Sequence, residues 1–140
     1  MNVRGFSALA RMHRFRMDQH RRKAGEVEAM RAKFLDQDAA LEQELARETS
    51  AVSQADLAMT NFGIYAQHIK TRRETLAESI ADATRALARI NENMASEFRE
   101  AKKFELALER EDKRQKQLAA KLEQAQLDEI GLIYSRRAAV

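Results

Sequence analysis

The sequence predicts an all-α protein: two long helices forming an antiparallel coiled-coil hairpin with an overhanging C-terminal helix. Its 140 residues include no Pro and only four Gly, while 34% are Asp, Glu, Lys or Arg. Such a composition is poor in turn formers and rich in helix formers, which argues against a β-rich or α/β fold. Apolar residues also recur at alternating spacings of three and four, the heptad pattern of a coiled coil.

The heptad pattern is clearest in the second half of the chain, where it defines a line that we call the seam. Sixteen of its 22 positions are apolar. These positions are Phe62, Ala66, Ile69, Arg73, Leu76, Ile80, Ala83, Leu87, Ile90, Met94, Glu97, Ala101, Phe104, Leu108, Glu111, Gln115, Leu118, Leu122, Ala125, Glu129, Leu132 and Arg136. A seam without a phase break predicts one long helix over about 62–136.

The first half repeats the pattern less cleanly, with ten of fifteen seam positions apolar. These are Phe6, Ala10, His13, Met17, His20, Ala24, Val27, Arg31, Phe34, Asp38, Leu41, Leu45, Glu48, Val52 and Ala55. The pattern predicts a helix over about 3–55. Small polar residues gather between the two seams, so we place a reversal at about 56–62, with Asn61 as the N-cap of the second helix. The whole chain, 1–140, is expected to form one coiled-coil domain.

The two helices differ in length, so they cannot cover each other fully. Closing near residue 59 places residue 6 opposite about residue 112, and about 25 residues then project without a partner. They carry Leu118, Leu122, Leu127, Ile130, Leu132, Ile133 and Tyr134. Apolar side chains on a lone helix favour burial by another molecule, so we interpret this end as a binding surface.

Charge is unevenly distributed along the chain. The formal net charge is +3, but Lys and Arg exceed Asp and Glu by six over residues 1–33, fall five short over 34–66 and exceed them by two over 67–140. A basic end could attract nucleic acid, anionic lipid or an acidic protein surface.

The absence of Cys and of a long apolar run predicts a cytoplasmic protein that meets the membrane only peripherally, through partners.

No motif in the sequence indicates catalysis or a cofactor. Phosphate-binding loops, nucleophile elbows and metalloprotease motifs are all missing, and the carboxylates of the second half alternate with Lys and Arg as on a solvated helix face. His13 and His20, with Asp18 nearby, could bind a metal in principle, but polar seam residues are the favoured interpretation. We therefore expect that the protein is not an enzyme and that it binds neither a cofactor nor a metal.

Two further clusters are candidates for contacts with partners. Residues 11–23 hold six Lys or Arg around Phe15, and a solvated or protein-binding face is favoured over nucleic acid, since acids such as Glu105 should lie across the hairpin. The second cluster is a stripe beside the seam, which we call the lateral stripe. It consists of Tyr65, His68, Arg72, Thr75 and Ser79. The lateral stripe is either a contact site for a partner or an ordinary solvent-exposed helix face, and the sequence does not decide between the two.

The chain resembles the FliJ family, the coiled-coil component of the flagellar type III protein export apparatus. The resemblance covers essentially the full length: the opening ALARMHRFRMDQHRRKAGEVE, the segment YAQHIKTRRETL and the ending KLEQAQLDEIGLIYSRRA. The ending is the most specific part, since an apolar-Asp-Glu step at Leu127, Asp128 and Glu129 precedes a basic tail.

The resemblance implies a stalk similar to the rotor stalk of rotary ATPases. Such a stalk would bind the hexameric export ATPase ring and the export-gate membrane protein, help to couple them and also escort substrate chaperones. It would act at the cytoplasmic face of the inner membrane, at the flagellar base. The implied ATPase contacts are Leu127, Ile130, Tyr134, Arg136 and Arg137. The implied gate contacts are Tyr65, His68, Arg72, Thr75 and Ser79, although Arg72 and Ser79 depart from the more apolar stripe of the family.

Two alternatives to a flagellar stalk stay open. The equivalent stalk of a virulence-type secretion system would look the same physically, and only the neighbouring genes would separate the two. A general coiled-coil tether that binds nucleic acid through residues 11–23 belongs to a different class. Binding to random duplex that disappears at moderate ionic strength would count against it.

Overall fold

The structure, a computed structural model, describes residues 3–53 and 59–139, without the side chains of residues 59 and 60. It contains two helices, α1 over Val3–Val52 and α2 over Met59–Ala138, and these described residues form no strand. The predicted fold class, all-α with two long helices packed against each other, is confirmed.

The helix ends differ in detail from the prediction. Asn61 is not an N-cap, because α2 is already helical from Met59. α1 ends at Val52 rather than near residue 55, and α2 continues to Ala138 rather than residue 136. Residues 56–58 of the expected reversal at 56–62 lie outside the described residues, and the other four, 59–62, belong to α2 instead.

Contacts within the chain group it into two units, so a single domain over 1–140 stays a prediction. Unit 1 comprises Met1–Phe15 and Glu97–Val140, and unit 2 comprises Arg16–Ser96. Each unit holds one segment of α1 and one of α2, and each is described separately below.

In unit 2 the two segments run antiparallel. Arg73 of α2 bonds to Asp38 of α1, whereas Thr84, further along α2, bonds to Arg31, which comes earlier in α1. The apolar core of this unit lies along the predicted seam. Its buried side chains are Met17, Leu41, Ile69, Ala83, Leu87 and Ile90. Most of the stability of unit 2 therefore comes from one apolar line on each helix.

One seam layer of unit 2 is charged instead of apolar. The Arg73 guanidinium donates two hydrogen bonds to Asp38, at 2.9 and 3.3 Å, and lies 3.7 Å from Glu42. Hydrogen bonding from Arg73 holds the pKa of Asp38 below its ordinary value. The charged pair contributes more to selecting the register than to stability, because a shift of one helix would separate the two charges.

Unit 1 uses aromatic and polar contacts where unit 2 uses aliphatic ones. Phe6 packs on Phe104 with ring centroids 5.8 Å apart, and the His13 ring stacks on Phe104 at the same distance. His13 Nδ1 and Glu97 Oε2 form a 2.5 Å hydrogen bond, and Ala101 beneath them is fully buried. As in unit 2, the two segments are antiparallel, since 6 meets 104 and 13 meets 97.

The observed register of α1 against α2 in unit 1 differs from the expected register by eight residues. Phe6 was expected opposite residue 112 and lies opposite Phe104. The expectation assumed that the hairpin closes near residue 59, but α1 already ends at Val52. The uncovered end of α2 is therefore slightly longer than the 25 residues expected.

Charged side chains of both helices form a cluster on one side of unit 1. Arg14 donates to both carboxylate oxygens of Glu105, at 2.8 and 2.9 Å, and this hydrogen bonding lowers the pKa of Glu105. Arg14 and Lys102 also lie over the Phe98 ring, 5.4 and 5.8 Å from its centroid. Glu105 thus balances part of the basic cluster, as the sequence predicts.

The seam explains which side chains are covered. On α2, every seam position from Phe62 to Glu111 is buried or half-buried. On α1, the described seam positions are also buried or half-buried, except Glu48, which is exposed. Ala55 lies outside the described residues. From Asp112 to Ala139 every side chain is exposed. Neither described helix has a stretch that is long and apolar enough to cross a membrane.

Candidate functional site

The first candidate site is the uncovered part of α2 in unit 1, residues 112–139, which we call the arm. The last buried seam residue before it is Glu111, whose carboxylate accepts a hydrogen bond from Arg114 on the same helix at 2.9 Å. The arm remains helical up to Ala138. Its sequence lacks Pro and is rich in helix formers, which favours helix even without packing.

The arm presents apolar side chains on two opposite faces. The seam face continues the seam through Leu118, Leu122, Ala125 and Leu132. The outer face consists of Leu127, Ile130 and Tyr134, which follow one another at steps of three and four. Leu127 is nine residues, or two and a half turns, from Leu118 and therefore points the opposite way.

The structure places four of the five predicted ATPase contacts on one side of the arm. Leu127, Ile130 and Tyr134 form the outer face, with 56%, 48% and 67% of their surface exposed. Arg137 follows Tyr134 by three residues and extends this face, whereas Arg136 lies on the line of the seam. The predicted set is thus one apolar patch with two cations at its end, placed on different sides of the helix.

The outer face is suited to protein binding. Full burial of a large apolar side chain contributes roughly 1.5–3 kcal/mol, and exposed Tyr with a nearby Arg is a combination that is enriched in binding hot spots. Arg136 and Arg137 stand in the last turn of α2, where positive charge also stabilises the helix. The arrangement is complementary to an apolar surface with acidic neighbours.

The second candidate site is the lateral stripe in unit 2, whose five residues do not behave alike. His68 and Arg72 are exposed and free to meet a partner. The Thr75 hydroxyl donates to the Thr71 carbonyl at 3.1 Å, so it is engaged within its own helix. Ser79 is half-buried and lines an open groove of about 390 Å³, together with Met30 and Phe34.

Tyr65, the remaining residue of the stripe, turns its hydroxyl inward. The hydroxyl oxygen is buried and has no hydrogen-bond partner of normal geometry among the described residues. Burial raises the pKa of Tyr65 to about 12, and the carboxylates of Glu44 and Glu48 on α1 add to this by disfavouring the phenolate. Tyr65 therefore contacts α1 with its polar end and offers a partner only the side of its ring.

We expect this burial to be visible in a spectrophotometric titration. The chain has two tyrosines, so Tyr65 is the only one left in a Tyr134→Phe variant. Its phenolate absorption should appear with a midpoint of about 12 in the folded protein and about 10 in denaturant. Because the raised pKa favours the protonated folded state, its stabilisation is complete below pH 10 and disappears as the pH rises from 10 to 12. A folded midpoint near 10 would contradict the buried placement.

Sequence reasoning missed two features around the lateral stripe. Glu44 was not identified, although the α1–α2 register places it across from Tyr65. The groove beside Ser79 was also missed, because Met30 lies off the seam and half of its surface is exposed. A second open groove, of about 490 Å³ and lined by Leu45, Ala66 and Lys70 among others, lies on the other flank of the unit 2 seam.

The described residues provide no metal site. No three His, Asp or Glu side chains in residues 3–53 and 59–139 come together as a ligand set. His13 is hydrogen bonded to Glu97.

Comparison of the chain with known proteins and protein families identifies its family. No curated protein and no solved structure matches the chain significantly. A family model described as "Flagellar FliJ protein" matches residues 3–139. That match includes both helices, the arm and the lateral stripe. The chain therefore belongs to the FliJ family.

Proposed function

We propose that the chain is a non-enzymatic stalk of the flagellar export machinery, which binds the hexameric export ATPase through the arm and the export gate through the lateral stripe. Membership of the FliJ family makes it a component related to flagellar export, in a family that is structural rather than enzymatic. The observation that carries the finer proposal is the arm itself, a helix with a bare apolar patch and no partner within the described chain.

The two contacts are separate in the proposal. The ATPase meets the outer face of the arm in unit 1, where Leu127, Ile130 and Tyr134 supply apolar surface and the terminal arginines supply charge. The gate meets unit 2 at His68 and Arg72, with the groove beside Ser79 as the adjoining apolar surface. A stalk with two such contacts could couple ATP hydrolysis to export, and substrate chaperones would be further partners. Its place of action would be the cytoplasmic side of the inner membrane, at the flagellar base.

A pull-down with a truncated chain tests this division. We compare the full chain with a form that lacks residues 116–140, using the purified export ATPase and the cytoplasmic domain of the gate protein as baits. The truncation removes no buried seam residue, so the α1–α2 pairing should survive, and circular dichroism will check it. We expect loss of ATPase capture and full retention of gate capture.

Either of two results would contradict the proposal. ATPase capture by the truncated chain at full strength would show that the arm is not the contact. Loss of gate capture on truncation would show that the two contacts are not separate. Alanine at both His68 and Arg72 in the full chain serves as the reciprocal variant, which should weaken gate capture alone.

A further inference from the structure

The apolar residues on the seam face of the arm are not used by the proposed function, which takes only Arg136 from this face and its apolar contacts from the outer face. Leu118, Leu122 and Leu132 continue the heptad phase of the buried seam, and Leu122 leaves 66% of its surface exposed. Apolar residues in this phase match the face that α2 buries against α1 up to Glu111. The seam face thus has the pattern of one half of a coiled coil, and no described residue of α1 covers it.

The covered part of the seam shows how charged positions are accommodated. In unit 2, Asp38 of α1 faces Arg73 of α2. In unit 1, His13 of α1 is hydrogen bonded to Glu97 of α2. Each of these polar seam residues therefore meets a complementary group on the opposite helix. Glu111, at the edge of the covered part, is instead satisfied by Arg114 on its own helix.

The arm carries two charged seam positions that have no such complement. Glu129 and Arg136 stand seven residues apart on the line of the seam, and neither forms an ion pair with any other described residue. Seven residues separate equivalent positions of successive heptads, so both charges would face the same helix if one packed there.

We infer that the seam face of the arm binds an α-helix of another protein, which continues the coiled coil beyond the start of α1. Running in the same direction as α1, this helix presents first an acidic residue opposite Arg136 and, seven residues later, a basic residue opposite Glu129. Its other facing positions are apolar and contact Leu118, Leu122 and Leu132. Continuity with the existing seam and charge complementarity together specify this partner, and Arg136 is the one residue that it shares with the proposed ATPase contact.

A second copy of the chain is a poorer occupant. When two arms pair antiparallel with Leu118 opposite Leu132, Leu122 falls opposite Glu129 and Gln115 opposite Arg136. With Leu132 opposite Leu132, Glu129 meets Arg136, but Leu118 and Leu122 have no described residue of the other arm opposite them. Parallel pairing is worse, because Glu129 and Arg136 each face their own copies, and like charges at seam positions oppose association. The seam face of the arm therefore fits a helix of another protein better than it fits a second copy of the arm.

The test uses two synthetic 28-residue peptides and the full chain. The matched peptide has Leu or Ile at its facing positions, Glu opposite Arg136 and Lys opposite Glu129, and the control peptide exchanges Glu and Lys. Fluorescence anisotropy of labelled peptides should show binding of the matched peptide at least about tenfold tighter than the control, because like charges at an interface are strongly disfavoured. In a Glu129→Lys, Arg136→Glu chain the preference should reverse.

Two control variants separate this inference from the proposed function. Leu122→Asp should abolish binding of the matched peptide, whereas the Ile130→Asp, Tyr134→Asp chain should bind it as the unaltered chain does. Equal binding of the two peptides, or no binding of either, would overturn the inference. So would a stable dimer of the full chain that Leu122→Asp dissociates in sedimentation experiments, because the second copy would then occupy the face.

Discussion

Capture of the export ATPase should fall by at least about a hundredfold when Ile130 and Tyr134 are both changed to Asp. These two side chains form most of the outer face of the arm, and each leaves about half or more of its surface exposed. Loss of an anchoring side chain commonly costs 2 kcal/mol or more, and each 1.4 kcal/mol is tenfold in affinity. Surface plasmon resonance against the immobilised ATPase measures the change.

The matched control places the same charges elsewhere on the arm. Gln117 and Gln124 are exposed and polar, and they lie seven residues apart on a side that belongs to neither apolar face. Changing both to Asp should leave ATPase binding within about threefold, because surface substitutions outside a hot spot have small effects. Circular dichroism must show the same helicity for both double variants. Full-strength capture by the Ile130→Asp, Tyr134→Asp chain would exclude the outer face.

Leu87→Ala should lower the free energy of unfolding by about 2–3 kcal/mol, the low end of the range for a buried leucine. Leu87 is 6% exposed in unit 2 and lies on the seam between Ala83 and Ile90, both of which are also buried. Removal of its branched end leaves a gap that a single line of seam contacts can only partly close. Urea unfolding followed by circular dichroism measures the loss.

The same substitution in the arm provides the comparison. Leu122→Ala removes the same atoms from the same helix type and the same heptad line, but this side chain is largely exposed. Its effect on the free energy of unfolding should stay within about 0.5 kcal/mol, as for most surface changes. An equal loss of stability in both variants would contradict the exposure of Leu122 in the free protein.

Much of the fold follows from the sequence because one physical pattern dominates it. The heptad positions identified from Phe62 to Glu111 are the covered ones in the structure, since burial of apolar surface decides the facing side of each helix. The register was harder to predict. A heptad repeat looks the same after a shift of seven residues, so the seam by itself does not fix the register. The expected pairing of residue 6 with residue 112 depended instead on a turn placed near residue 59, and it was wrong by eight residues. The register is determined by pairs that are distant in the sequence, such as His13 with Glu97, and local sequence patterns do not predict such pairs.

The candidate sites show the same contrast. The arm could be located from the difference in helix lengths alone, because exposed leucines on an unpaired helix are visible in the sequence. The lateral stripe could not be resolved in this way. Tyr65 and His68 stand at neighbouring positions of one stripe, yet the Tyr65 hydroxyl is buried against α1 while His68 is exposed. Which side chains lean inward depends on the opposite helix and on residues such as Glu44, which a single-helix pattern does not contain.

The charged layer of unit 2 restricts how the length of this protein can change during evolution. If one helix gained or lost a heptad between this layer and the turn, Asp38 would face Ala66 or Ile80, and Arg73 would face Arg31 or Leu45 in place of its carboxylate. A deletion in α1 would therefore be tolerated only together with an equal deletion in α2. Homologues of different size should accordingly vary in paired steps within unit 2, whereas the length of the arm, which has no opposite helix within the described chain, is not restricted by this layer.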